Sequence, residues 1–144
     1  MISGFFAPGI LPQPLIRIAV SIPELGVNAA FVPFIVDTGA AFTVIHAMDS
    51  MRYFGATPAM LDPATWLTVK TVGGVGGSLF CKEVTASYGF RHDDTTLEVI
   101  HGTIHIGDIK SASTPSLLGW DLLKFFNMTV RGAEQILTLE RAVP

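Results

Sequence analysis

The stretch Phe34-Ile35-Val36-Asp37-Thr38-Gly39-Ala40-Ala41-Phe42-Thr43-Val44-Ile45 sets one carboxylate and one hydroxyl on a glycine turn between two apolar runs. Burying a carboxylate among aliphatic side chains costs several kcal/mol unless something pairs with it or uses it. Gly39 has no Cβ, so it permits a sharp turn and lets its own N–H approach the acid. Asp37 is therefore the first candidate for chemistry, and the flanking runs read as strands that aim it out of a core.

Outward from that turn, β-branched residues and alternation recur while helical periodicity is scarce, which predicts an all-β domain. Residues 15–22 alternate and stop at Pro23, and residues 29–36 form a second strand in which Pro33 points to an edge or a bulge. A short strand is expected at 43–45, then a helix at 48–54 that Gly55 ends. Residues 65–72 and 78–88 read as the arms of a long hairpin whose tip is Gly73-Gly74-Val75-Gly76-Gly77. Strands follow near 96–101 and 103–106, a loop at 107–115, a short helix at 121–126, and closing strands at 127–131 and 135–140. Residues 1–14, broken by prolines 8, 12 and 14, are set apart as an N-terminal extension, with the domain over 15–144.

At 144 residues the chain is long enough for one well-buried domain and too short for a two-lobed enzyme. Hydrophobic residues make up 49% and charged residues 15%, with a mean hydropathy of +0.50, so some apolar surface is expected in a subunit contact. The net charge of -3 carries no long run of either sign, which argues against a nucleic-acid partner. Cys81 is the only cysteine, so no intrachain disulfide or cysteine metal cluster is expected, and a reducing, cytoplasmic setting is the simplest. The N-terminus lacks a basic region of the signal-peptide kind, and no apolar run approaches the ~20 residues of a membrane helix. A soluble domain taken from a larger protein fits the same residues.

Three features stand in fixed order: Asp37-Thr38-Gly39-Ala40 after an apolar strand, the glycine-rich tip from Val72 to Gly77, and Leu117-Leu118-Gly119 before a segment containing Leu122 and Leu123. Singly, each has a plain explanation in turn geometry or core packing. Together they resemble the retropepsins, the single-domain aspartic proteases of retroviruses and their cellular relatives, over roughly residues 15–140. The resemblance implies a retropepsin-like closed barrel or sandwich with a flap hairpin and one or two short helices. It also implies an aspartic endopeptidase acting on peptide or protein substrates, with no cofactor and no metal.

That chemistry needs two neighbouring carboxylates, one taking a proton from water while the other donates to the substrate carbonyl. Of the seven aspartates only Asp37 is followed by Thr and Gly; Asp93, Asp94, Asp108 and Asp121 read as turn and cap residues. The second acid would then be Asp37 of another copy across a two-fold axis, so a homodimer is expected to be a catalytic requirement. Two like charges at such range share one proton and titrate as a unit. By resemblance, Thr38 would brace the partner's turn and Gly39 would help fix the carboxylate. Ala40 offers no hydroxyl to an outer carboxylate oxygen. Val72, Gly73, Gly74, Val75, Gly76 and Gly77 would form the flap, with backbone N–H groups free to approach bound peptide.

The chain departs from the retroviral pattern where an acid commonly follows the DTGA motif and an arginine follows the hydrophobic-hydrophobic-Gly motif. Here those positions hold Ala41 and Trp120, which suggests an apolar contact in place of an ion pair. Residues 46–64 form an insertion without an assignable role. A rival metal chemistry rests on His101 and His105, four apart, with His92 nearby, but their neighbours read as strand and turn. The competing reading at the level of function is a binding or dimerisation module that keeps the fold without activity.

Overall fold

In the computed structural model, which describes residues 1–9, 11–74, 77–111 and 114–143, the chain builds strands β1 (Ile2–Ser3), β2 (Phe5–Ala7), β3 (Gln13–Ile22), β4 (Val27–Val36) and β5 (Val44–Ile45), then helix α1 (Ala47–Phe54). Strands β6 (Lys70–Gly74), β7 (Gly77–Arg91), β8 (Leu97–Gly107) and β9 (Leu117–Leu118) follow, then helix α2 (Trp120–Leu123) and strands β10 (Phe126–Arg131) and β11 (Ile136–Arg141). The fold is all-β, as the alternation implied. No helix among the described residues is long and apolar enough to cross a membrane.

The larger sheet runs in the order β2-β3-β4-β9-β5-β8-β7-β6, and a further pairing of β3 with β7 closes the six strands from β3 to β7 into a barrel. Closure removes most open edges, leaving β6 and β2 outside the ring. Its interior is filled by the period-two residues of β3, Ile16, Ile18, Val20 and Ile22, packed with Phe34, Tyr88, Phe90 and Ile104. A second sheet, β1-β11-β10, buries Leu137 and Leu139 on the same core. The N-terminal residues thus join both sheets: Ile2 opposes Leu139, and Phe5 opposes Leu15.

Several boundaries differ from expectation for identifiable reasons. The strand expected from residue 65 begins only at Lys70, because Pro58–Leu61 and Pro63–Thr65 form 3-10 turns. Asp62 accepts the Ala64 N–H, and Trp66 donates its indole N–H to the Met60 carbonyl, which folds this segment back on itself. The two strands expected around Gly102 are one, since that glycine pairs in register with Ala86. Helix α2 ends at Leu123, short of the expected 126, because Phe126 is taken into strand pairing with Arg141 and packs its ring 4.9 Å from that of Phe90. Helix α1 ends as expected, with Gly55 at φ 68.

Candidate active site

The turn at Asp37 hangs from two strands that do not pair with each other. Between them runs β9, parallel to β4 (Ile35 opposite Leu117, Val36 opposite Leu118) and antiparallel to β5 (Val44 opposite Leu117). The Leu-Leu-Gly segment is thus the central strand of the site, and Leu118 is fully buried beneath it. Its backbone continues to bind the turn: the Asp37 N–H donates to the Leu118 carbonyl, while the Trp120 and Asp121 N–H groups donate to the carbonyls of Ala40 and Ala41. The apolar residues either side of the motif therefore decide where the acid stands.

Within the turn, the Gly39 N–H donates to Oδ1 of Asp37 at 2.8 Å, and the Ala40 N–H donates to the Asp37 carbonyl. A Cβ at position 39 would come 3.2 Å from that same carboxylate oxygen, so glycine suits the close approach. Asp37 is half-buried, and the Thr38 side chain is exposed. Asp37, Gly39, Ala40 and Phe42 line a cleft of about 430 Å³ whose opposite wall is Thr71, Val72 and Gly73 of the β6–β7 hairpin. The structure thus brings the two predicted elements, acid turn and hairpin, to one cavity. Gly74 and Gly77 pair at the hairpin end; Val75 and Gly76 lie outside the described residues.

Under the turn sits a group that sequence reading missed. Thr43 is fully buried, donates its hydroxyl to Oδ1 of Asp121 at 2.6 Å, and accepts the Gly119 N–H at 3.1 Å. Its backbone N–H also donates to the Asp121 carboxylate. Asp121, expected as a helix cap, instead ties the two ends of the site together; Asp94 and Asp108 do serve turns, accepting from Thr96 and Lys110. The one available signal was a threonine inside an apolar run, which wants a partner when buried. At the neighbouring corner the Trp120 indole N–H donates to the Thr38 carbonyl at 2.6 Å, and Ala41 is exposed.

A polar relay links the hairpin base to the cleft. Lys70 and His105 both bind Oε2 of Glu83, His105 through Nε2 at 3.0 Å, and the His105 ring lies 4.9 Å from Phe42 in the cleft wall. The hydrogen bond from Lys70 is the main cause that holds the Glu83 carboxyl below its usual range. Along β8, His101 sits four residues from His105, about 13 Å at strand rise, and binds Ser87 instead. The two imidazoles do not converge.

No protein-family model and no curated protein matches the chain. Among solved structures it is similar to that of EIAV protease complexed with the inhibitor HBY-793, with 15% sequence identity, a TM-score of 0.49, and coverage of 82% of this chain and 91% of that one.

Proposed function

We propose that this chain is an aspartic endopeptidase that hydrolyses peptide bonds with a water activated between the Asp37 carboxylates of two identical subunits. The observation that carries the reading is the half-buried Asp37 carboxylate, held by the Gly39 N–H at the floor of a cleft whose other wall is a hairpin. A single carboxylate cannot be base and acid at once; a second copy supplies the other, and the shared proton divides the roles. The exposed Thr38, Phe42 and Trp120 beside the turn would form the self-complementary contact around the two-fold axis. The hairpin would close over an extended peptide, its glycine N–H groups binding substrate carbonyls.

The test is cleavage of denatured casein and a mixed peptide library between pH 3 and 7, with and without pepstatin, at a concentration where the mass in solution is that of a dimer. Wild-type cleavage that pepstatin inhibits and that Asp37→Asn abolishes is the expected result. An inactive dimer would instead identify a binding module. Cleavage that survives Asp37→Asn would remove the acid from the mechanism. We further expect activity to peak above about pH 3, because Ala40 cannot donate to the ionised carboxylate as a hydroxyl side chain there would.

A further inference from the structure

On the outer face of the barrel, where β3 runs between β4 and β7, two arginines stand side by side. Ile18 pairs with Phe90 and both are buried, so Arg17 and Arg91, one residue further along the paired strands, lie opposite each other on the solvent side. Like charges directly opposite on neighbouring strands destabilise the pair. Among the described residues neither guanidinium makes an ion pair. Each instead lies over a phenyl ring, the Arg17 Cζ 4.5 Å from the centroid of Phe5 and the Arg91 Cζ 5.8 Å from that of Phe31. Both arginines and both rings line one pocket of about 410 Å³, a size that suits a small molecule.

We propose that this pocket binds a small monocarboxylate with an apolar body, its carboxylate held between Arg17 and Arg91 and its body laid against Phe31. Stacking occupies the flat faces of the two guanidinium groups and leaves their N–H rims, whose paired donors match a carboxylate. An anion placed between them turns a repulsion into two attractions. The other charges set its valence. Asp93 lines the same pocket without an ion-pair partner among the described residues, so with the two arginines it leaves one net positive charge, which suits a monoanion better than a dianion. Glu98 of β8 is committed elsewhere, to His92 at 3.6 Å and Arg141 at 3.8 Å. Phe31 remains 43% exposed with a guanidinium over it, which gives the ligand's body an apolar surface. No residue of this pocket lines the Asp37 cleft, so the site does not depend on peptide hydrolysis.

The experiment titrates the full chain with benzoate, with benzyl alcohol and with inorganic phosphate, following backbone amide shifts by NMR. Benzoate should give saturable shifts centred on Phe5, Arg17, Phe31 and residues 91–95, and should bind at least about tenfold more tightly than benzyl alcohol, the range of a charged hydrogen bond. Phosphate should bind more weakly than benzoate. Arg17→Gln and Arg91→Gln change exposed strand positions, so both variants should fold, and each should weaken benzoate about tenfold or more while leaving benzyl alcohol unchanged. If one of them does not fold, the other still decides. Absence of saturable benzoate shifts, shifts centred on Asp37, phosphate binding tighter than benzoate, or a benzoate affinity that survives the arginine substitutions would each overturn the proposal.

Discussion

Thr43 and His46 flank the same two-residue strand, β5, and both are buried, yet their surroundings are opposite. The Thr43 hydroxyl donates to Asp121 and accepts from Gly119, and its N–H binds the same carboxylate. His46 satisfies its backbone N–H through Ser116, but among the described residues neither ring nitrogen has a partner, and one helical turn further on the Ser50 hydroxyl has none either. The difference follows what each side must do. Polar groups that are fully paired in a low-dielectric setting fix one geometry, and that is the side that presents Asp37. Polar groups left unpaired specify nothing and cost stability, so the α1 side should tolerate, or gain from, replacements that the turn side cannot accept.

The sharpest way to break the turn side is Gly119→Ala. A Cβ there would lie 2.6 Å from the backbone carbon and oxygen of Phe42 and 2.9 Å from the Ala40 carbonyl oxygen, and backbone atoms cannot swing away. The expected loss exceeds about 4 kcal/mol, which a domain of this size reports as a fall of roughly ten degrees or more in melting temperature. A melt within two degrees of wild type would mean that the turn slides freely and is not held as described. Thr43→Val comes next, at about 1–3 kcal/mol, since it orphans the Gly119 N–H and takes one donor from Asp121. Urea titration should show the midpoint falling with an unchanged slope, and Thr43→Ser should recover most of the loss.

These two residues also mark how far the sequence could be read. Most of the longer strands, the acid turn and the hairpin were legible, because period-two alternation and glycine placement are local signals, whereas β1 and β2 fell in what read as an N-terminal extension and Leu117–Gly119 was marked only by the resemblance. The threading of β9 between β4 and β5 was not legible, because parallel pairing between residues about eighty apart leaves no local trace. For the same reason Asp121 read as a cap: its true partner, Thr43, lies 78 residues away. Trp120 was singled out for what it lacked, an arginine's charge, while its indole N–H turned out to matter more. In the insertion, prolines 58 and 63 announced a break in regular structure, but not that Trp66, just beyond it, would fold back to bind the Met60 carbonyl.

A smaller effect is expected at the edge of the turn side. Trp120→Phe keeps the ring and removes only the N–H that binds the Thr38 carbonyl, so the stability loss should be about 0.5–1.5 kcal/mol. If Thr38 braces the dimer as proposed, cleavage should fall several-fold more than that loss of folded protein explains, most visibly at low protein concentration where dissociation competes. Equal cleavage by variant and wild type across a dilution series would separate Trp120 from the placement of Thr38.

The smallest effect at neutral pH, and the one that probes the unpaired side, is His46→Leu. Burial is the main cause that lowers the His46 pKa from the ordinary 6.5, with nearby Asp49 pulling the other way. As pH falls through 6.5 the unfolded chain takes up a proton that the folded chain resists, so the unfolded state binds more protons and stability drops on acidification. Above that value both states are neutral and the imidazole contributes only its unpaired nitrogens, so leucine should leave the melting temperature unchanged or raise it by about 2–4 °C. Between pH 7.5 and 5.5 the variant should lose less stability than wild type. Glu83, whose lowered carboxyl supports the fold above 4.5 and loses that support below it, titrates outside this window. Parallel curves for the two proteins would mean that His46 is solvated in solution, and a leucine variant as crippled as Thr43→Val would erase the contrast between the two ends of β5.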